Sequence, residues 1–416
     1  MNKPKIAIIS FPGSNGETEN LRCFWRNGFD AFVFRWNDSK EKLKEVDGYF
    51  IGAGFSYEDR GRAGMVAGRD PLFDFLHEES KKGKVIIGHC NGAQVLVESG
   101  LVPVGDKLRM SLARNAIKES DKWHSPGFLN EWIYITPACS KDRCAASDWN
   151  GSMKIPIAHG EGRFITKDPD LISELEKNDQ IAFRYCDADG NVSSDSPVTP
   201  NGSTDAIAGI CNPEGNVVAM MPHAERTKAG DMYFSSIKRW IEKNSKLQAP
   251  NNKQIPNNKF QIPNITKRES KDLEIFIETI IVNNEERTVE QAAQRINPNL
   301  KLKQFRYMSL VNKSAEEILT TISMFNPNKE MAYVRSNDAW SKWNPDKKTL
   351  DPSSNPISDI SLIRRDEPDM NAESLGKGSE TGVCYSLSNV DAYDLNDSKL
   401  QEIFGNPHAS VLEIVK

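Results

Sequence analysis

Short, mostly apolar runs punctuate the first 90 positions: Lys5–Ser10 (KIAIIS), Phe29–Arg35 (FDAFVFR), Gly48–Gly52 (GYFIG) and Lys84–His89 (KVIIGH). Each has the length of a strand, and none shows the strict alternation of a strand with one wet face. Helical spacing fills the gaps, over Glu17–Asn27 (ended by Gly28), Ser39–Glu45 and Pro71–Lys82. Gly83 closes the last of these, with Lys81 and Lys82 at the negative end of its dipole. Apolar strands separated by helices predict a parallel sheet covered on both faces, the α/β doubly wound arrangement. Gly151–Arg239 continues in shorter elements. Val217–Met221 (VVAMM) is a late strand and Met232–Asn244 an amphipathic closing helix.

The pattern then changes. Gln248–Lys267 (QAPNNKQIPNNKFQIPNITK) is rich in Asn and Pro and poor in apolar residues, so 246–268 reads as a linker between a domain at 1–245 and a module at 269–416. In that module Leu273–Val282, Leu302–Val311 and Met331–Arg335 are strand-like, and Thr288–Arg295 and Ser314–Phe325 are helical. Ser314 followed by Glu317 has the form of a capping box. The order predicts a smaller α+β domain, best defined over 270–336. Asn337–Glu380, rich in Asn, Ser, Asp and Pro, reads as a long loop. Gly382–Ser388, Ser398–Phe404 and Ser410–Lys416 add a strand, a helix and a strand.

Length and composition narrow the class. The 416 residues suggest two to four domains, and 38% hydrophobic with 27% charged residues fits a soluble globular protein. A net charge of -5 provides no basic footprint for nucleic acid and no polybasic membrane patch. The apolar runs are too short to span a bilayer, and the opening MNKPKIAIIS lacks the stretch of a signal peptide. Seven cysteines, an odd number scattered over the chain, are expected as reduced thiols in a cytoplasmic protein. Cys139 and Cys144 are close in sequence, but no second pair at zinc spacing accompanies them, so no metal site is expected.

One cysteine stands apart. The strand Lys84–His89 runs into Gly88-His89-Cys90-Asn91-Gly92 and then a helix. This is a glycine–x–nucleophile–x–glycine elbow, in which side chains flanking the strained turn would clash. It places the sulfur at the C-terminal edge of the sheet and at a helix N-terminus that favours a thiolate. The N–H of Asn91 points to where an oxyanion would form. A base is sought among six histidines. His89 adjoins the nucleophile but should point to the opposite side of the chain. His159 lies in a Gly-rich segment that could approach a ligand. His223 follows the strand VVAMM and stands two residues before Glu225, so in extended chain the carboxylate shares its face and could fix its tautomer.

Together, Gly88-His89-Cys90-Asn91-Gly92-Ala93-Gln94 and Pro222-His223-Ala224-Glu225-Arg226 resemble a class I glutamine amidotransferase domain, which implies a flavodoxin-like sheet and a Cys–His–Glu triad. Phe11-Pro12-Gly13-Ser14-Asn15, Gly54-Phe55-Ser56-Tyr57-Glu58-Asp59 with Arg62-Ala63-Gly64, and His159-Gly160-Glu161-Gly162-Arg163 narrow the resemblance to the glutaminase subunits of phosphoribosylformylglycinamidine synthases, over roughly residues 4–243. The resemblance implies Cys90 as nucleophile, His223 as acid/base and Glu225 as its orienter. It also implies Gln94, His159 and Gly160 as substrate-binding, and the backbone of Gly54 and Asn91 as oxyanion hole. Two positions depart from the family pattern: Ala53-Gly54 replaces its Gly-Gly, and His223-Ala224-Glu225 its His-Pro-Glu. The implied substrate is L-glutamine, and the implied partners are a synthetase subunit that uses ATP and Mg²⁺ and a small bridging subunit. No cofactor is expected in this chain, which has no G-x-x-x-x-G-K-[ST] loop. The β-α-β-α-β order after the linker, with Lys303–Leu310 on its second strand, is similar to that bridging subunit. Two other readings stay open at this level: a different cysteine hydrolase on the same fold, and a non-catalytic assembly or regulatory subunit.

Overall fold

The computed structural model describes residues 3–104, 107–244 and 265–415, and the chain divides into two compact units, 1–260 and 261–416. Most of the expected linker lies outside the described residues.

In the first unit the elements run β1 (Lys5–Ser10), α1 (Glu17–Arg26), β2 (Asp30–Arg35), β3 (Gly48–Ile51), α2 (Met65–Gly68), α3 (Leu72–Lys81), β4 (Val85–His89) and α4 (Asn91–Glu98). There follow β5 (Ser111–Arg114), β6 (Ile117–Glu119), β7 (Lys122–His124), β8 (Leu129–Pro137), β9 (Met153–His159), β10 (Glu161–Ile165) and α5 (Leu171–Lys177). The unit closes with β11 (Ile181–Cys186), β12 (Ile207–Cys211), β13 (Val217–Met220) and α6 (Asp231–Asn244). Nine of these strands form one sheet in the order β2-β1-β3-β4-β13-β12-β11-β8-β9. The first five are parallel, as the apolar runs predict, but β12, β11, β8 and β9 continue the sheet antiparallel. The expected parallel sheet is therefore mixed. One reason is local: β12 and β13 are joined by a turn in which Gly215 takes φ 78° and Val217 N–H donates to Asn212 Oδ1 at 3.0 Å, and so short a link returns the chain antiparallel.

Both faces of the sheet are dry, which explains the runs. Ala7 and Ile9 point to one core with Phe34, Tyr49, Leu76 and Leu96; Ile6 and Ile8 point to the other with Phe24, Phe50, Phe183 and Phe234. Ser39–Glu45 forms only a 3-10 turn at Lys40–Leu43, because Leu43 is its one buried side chain and four residues give no apolar face to anchor a helix.

The second unit holds β14 (Ile265–Lys267), β15 (Leu273–Thr279), α7 (Asn284–Gln294), β16 (Lys301–Ser309), α8 (Ala315–Leu319) and β17 (Glu330–Ser336). It continues with β18 (Ala339–Asn344), β19 (Thr349–Pro352), β20 (Ile360–Asp366), β21 (Glu380–Ser388), α9 (Ser398–Phe404) and β22 (Ser410–Val415). All nine strands join one sheet, β14-β22-β20-β21-β16-β15-β17-β18-β19. Three outcomes differ from the sequence reading. Residues 265–268 are no linker: β14 pairs with β22, and the buried Arg268 meets Glu274, Glu380 and Glu413. Asn337–Glu380 is not one loop but carries β18, β19 and β20. Charge hid the last of these, since Arg364 and Arg365 follow Leu362 and Ile363, and Arg365 is bound by Glu413 at 2.9 Å and Glu380 at 3.3 Å. The helix at Ser314 has its capping box but ends at Leu319, where the Thr320 and Thr321 hydroxyls bond back to the carbonyls of Glu316 and Glu317 at 2.7 and 2.8 Å.

The inner six strands repeat one order on either side of the β16–β21 seam. β15, β16 and β17 pair as β16-β15-β17, and β20, β21 and β22 pair as β21-β20-β22, with β16 and β21 back to back over nine residue pairs. Each half threads helical turns between its strands: α7 and α8 in the first, Ala372–Leu375 and α9 in the second.

Candidate active site

The parallel strands β1, β3, β4 and β13 deliver the site, which forms at the C-terminal end of β4. Cys90 occupies φ 52°, ψ -109° between that strand and α4, a conformation that costs a residue with a Cβ about 1–3 kcal/mol. Both flanking glycines are sterically required. A Cβ on Gly88 would lie 2.4 Å from Gly92 O, and one on Gly92 would lie 2.0 Å from Ile51 O. Cys90 N–H donates to Met220 O at 2.9 Å, which ties the elbow to β13. The sulfur is 3.5 Å from Ala158 O, at the end of β9.

His223 enters just beyond β13. Its N–H donates to Pro156 O at 2.9 Å. The pairing with Glu225 is made differently from the expected extended chain: residues 224–226 form a 3-10 turn that folds the carboxylate under the ring. His223 Nδ1 meets Glu225 Oε1 at 2.6 Å. Burial lowers the proton affinity of His223, but the Glu225 carboxylate and Cys90 raise it and prevail, taking it to about 10. Burial opposes ionisation of Glu225, and the two imidazoles it faces overcome this, so it is held well below the usual carboxylate range. His223 Nε2 has no nitrogen or oxygen partner. Ala224, the departure from the family's proline, is fully buried in the turn.

The Gly13-Ser14-Asn15 loop faces Ala53-Gly54-Phe55. Asn15 N–H donates to Ala53 O and Phe55 N–H to Gly13 O, each at 2.9 Å, so Ser14 and Gly54 are a non-hydrogen-bonded pair and the Gly54 N–H is turned away from the Ser14 strand. Gly54 takes φ 132°, and a Cβ there would lie 2.6 Å from Asn15 N. Ala53 is not among the residues at positive φ, so its methyl is tolerated one position before the glycine that is needed.

Asn91 organises the rest. Its Oδ1 accepts from Ser56 N–H at 3.0 Å, and its Nδ2 donates to Gln94 Oε1 at 2.9 Å and to Asp59 Oδ1 at 3.2 Å. Gln94 Nε2 in turn donates to Glu161 O. Tyr57, Glu58 and Asp59 all adopt positive φ (53°, 58° and 53°), strain of the kind that collects at functional sites. Arg62 clasps Glu98 on α4 through two bonds of 2.6 and 2.9 Å, and a Cβ on Gly64 would lie 2.6 Å from the Gln94 carbonyl carbon, so this segment packs on the helix that carries the elbow.

His159 ends β9 with its ring over Gly162, where a Cβ would be 2.2 Å from it. Burial and the neighbouring His223 push its pKa down to about 3. Gly160 offers its carbonyl to Asn115 N–H at 2.9 Å. Cys90, His223, Glu225, Asn91, Gln94 and His159 are thus gathered around one elbow, while Gly54 is tied to the Gly13–Asn15 loop and Gly160 to Asn115. Two residues here were not singled out from the sequence. Asp59 has its pKa pushed up to about 7 by burial and by Glu161. His89 reaches the second oxygen of Glu225. Among the described residues no group of three or more side chains is arranged to hold a metal ion, and no helix is long and apolar enough to cross a membrane.

A strained cysteine elbow on a mixed α/β sheet, with a histidine–glutamate pair just beyond the neighbouring strand, has the form of a class I glutamine amidotransferase domain. Residues 3–254 match the CobB/CobQ-like glutamine amidotransferase domain, and the chain belongs to that family. Among its relatives, the phosphoribosylformylglycinamidine synthase subunit PurQ of Methanothrix thermoacetophila is 42% identical over 257 residues, 57% of this chain and 98% of the relative. PurQ of Pyrococcus furiosus is 33% identical over 245 residues, 57% of this chain and 98% of the relative. Among solved structures, a chain of PurLQS from Thermotoga maritima is 28% identical, with a TM-score of 0.45, covering 57% of this chain and 99% of that one.

Proposed function

We propose that this chain is the glutaminase component of a phosphoribosylformylglycinamidine synthase, with Cys90, His223 and Glu225 as its triad. The observation that carries the reading is identity of 42% across 98% of a PurQ subunit, with a Cys–His–Glu constellation at the elbow. In the proposed reaction the Cys90 sulfur attacks the side-chain amide carbon of L-glutamine. The N–H groups of Asn91 and Gly54 hold the tetrahedral oxyanion, and losing one such donor typically costs about 10²–10³ in rate. His223 protonates the departing nitrogen, ammonia leaves, and a γ-glutamyl thioester remains on Cys90. A water then loses a proton to His223 and attacks the thioester, releasing glutamate and restoring the sulfur. Gln94, itself held by Asn91 and Glu161, is proposed to hold the substrate amino acid together with His159 and Gly160. The ammonia passes to a separate synthetase subunit, which uses ATP and Mg²⁺ to convert formylglycinamide ribonucleotide to formylglycinamidine ribonucleotide. No cofactor is proposed for this chain itself, and its setting is proposed to be cytoplasmic.

The second unit is proposed as an accessory module similar to a small bridging subunit. Its support is the β-α-β-α-β order of β15 to β17 and its counterpart in β20 to β22.

The test is Cys90→Ala assayed with the synthetase partner. Glutamine-dependent synthesis should fall at least about 10³-fold while ammonia-dependent synthesis persists. Loss of both in a folded protein would assign Cys90 a structural role. Retention of both would remove the triad.

A further inference from the structure

Glu225 accepts two short hydrogen bonds from two different imidazoles, His223 Nδ1 on Oε1 at 2.6 Å and His89 Nδ1 on Oε2 at 2.7 Å. We propose that His89 is a positioning residue of the catalytic centre, whose Nδ1–H locks the Glu225 carboxylate that in turn orients His223. The proposal rests on the reading of Cys90, His223 and Glu225 as a triad and adds a fourth member to it.

Geometry places the group. His89 ends β4 with its ring in the core of Phe50 and Phe234, whereas Cys90, in the turn beyond the strand, lies with the opposite core. The sulfur goes to the substrate side and the imidazole to the core behind it. There the His89 ring is fully buried, with ring centroids of Phe50 at 4.9 Å, Tyr233 at 5.0 Å and Phe234 at 6.1 Å. Its Nε2 has no hydrogen-bond partner. A proton there would be a buried donor without an acceptor, which costs about 1–3 kcal/mol. The Nδ1 edge of the ring therefore carries the donor to the carboxylate, while Nε2 faces the aromatic core.

The consequence concerns the carboxylate. Held at one oxygen, a buried Glu can still swing about its terminal torsion. Held at both, it presents a fixed oxygen and a fixed share of its charge to His223. Other ionisable groups act on the same centre, and none replaces the second donor. Arg226 lies 3.9 Å from Oε1 and shares itself with Glu19 of α1 at 3.5 Å. Cys23 of α1 and Tyr233 of α6 sense the Glu225 charge, and Tyr185 of β11 that of Cys90. His159 faces His223 from β9.

The full-length protein labelled with ¹⁵N-histidine provides the test. The Nδ1 protons of both His223 and His89 should resonate at low field, and both resonances should be lost in Glu225→Gln. The His89 nitrogen shifts should report a proton on Nδ1. Removing the donor in His89→Leu leaves more charge on the carboxylate, so the His223 titration should move up by about 1 unit. With glutamine and the partner present, kcat should fall about tenfold at unchanged KM, and His89→Asn, which keeps an N–H, should recover most of it. In a Glu225→Gln background His89→Leu should change kcat less than twofold. An unmoved His223 titration, a His89 proton indifferent to Glu225→Gln, or equal losses in both backgrounds would each overturn the proposal. If the wild-type chain with its partner hydrolyses no glutamine, the triad reading fails separately, and the spectra still decide the His89 contact. They need no His89 variant, so a His89→Leu chain that fails to fold leaves the test intact.

Discussion

A half-buried carboxyl group bonded to Asn91 responds to pH in a direction that can be checked. Burial and Glu161 raise the Asp59 pKa to about 7, against the pull of the Asn91 amide. A raised carboxyl pKa means that the folded state holds its proton more tightly than the unfolded one. Its stabilising contribution is complete below the ordinary carboxyl range and is lost as the pH rises through about 7. Asp59→Asn keeps the contact without the charge. It should raise the melting temperature relative to the parent at pH 8 and show a smaller gain at pH 5, by scanning calorimetry at both. A larger gain at pH 5 would contradict the sign. The residue scale also shows what sequence reading reaches and what it misses. Cys90 was legible because its glycines are sterically forced, and His223 with Glu225 because a strand end and a two-residue spacing bring them forward. His89 faces away from the nucleophile, so its neighbours in sequence show no role for it. What no spacing conveys is that the Glu225 turn reaches through to that same hidden face. Asp59 was missed for a related reason: its environment is made by Glu161, 102 positions later in the chain.

Between residues and domains, the elbow depends on close approach of whole elements. The start of α4 packs on the end of β3 so closely that Gly92 has no room for a side chain. Gly92→Ala should destabilise the first unit by roughly 2–4 kcal/mol, by overpacking against backbone that cannot rotate away. Urea titration followed by tryptophan fluorescence would measure it, and a loss under about 0.5 kcal/mol would mean that the two elements can part. Elements are legible in the sequence where burial sets the pattern, as in β1, β4 and β16. They are hidden where polar side chains have partners of their own: the threonine hydroxyls that stop α8, and the arginine–glutamate contacts that give β20 the composition of a loop.

For the whole molecule, each unit has its own sheet and its own cores on both faces. Two separately closed cores imply two unfolding events. Calorimetry of the full chain should resolve two transitions, and a chain ended near residue 250 should keep the first at the same temperature within a few degrees. Collapse of that transition on truncation would show that the first unit depends on the second. The doubly wound half was visible in the sequence because its strands are apolar throughout. The antiparallel extension was not, because turns such as Asn212–Asn216 decide strand direction, and apolar periodicity is blind to direction. The centre of the second sheet has one more consequence, for how the protein behaves in a crowd of other chains. Open sheets invite foreign strands at their edges. Either half of this unit alone would present a nine-residue edge, β16 or β21, with a full row of unmatched amides and carbonyls. Set back to back, these long edges occupy each other. Among the described residues, what remains at the rims is a three-residue strand bearing Lys267 and a four-residue strand, exposed along its length, that ends in Pro352, and these offer an intruding chain only a few rungs.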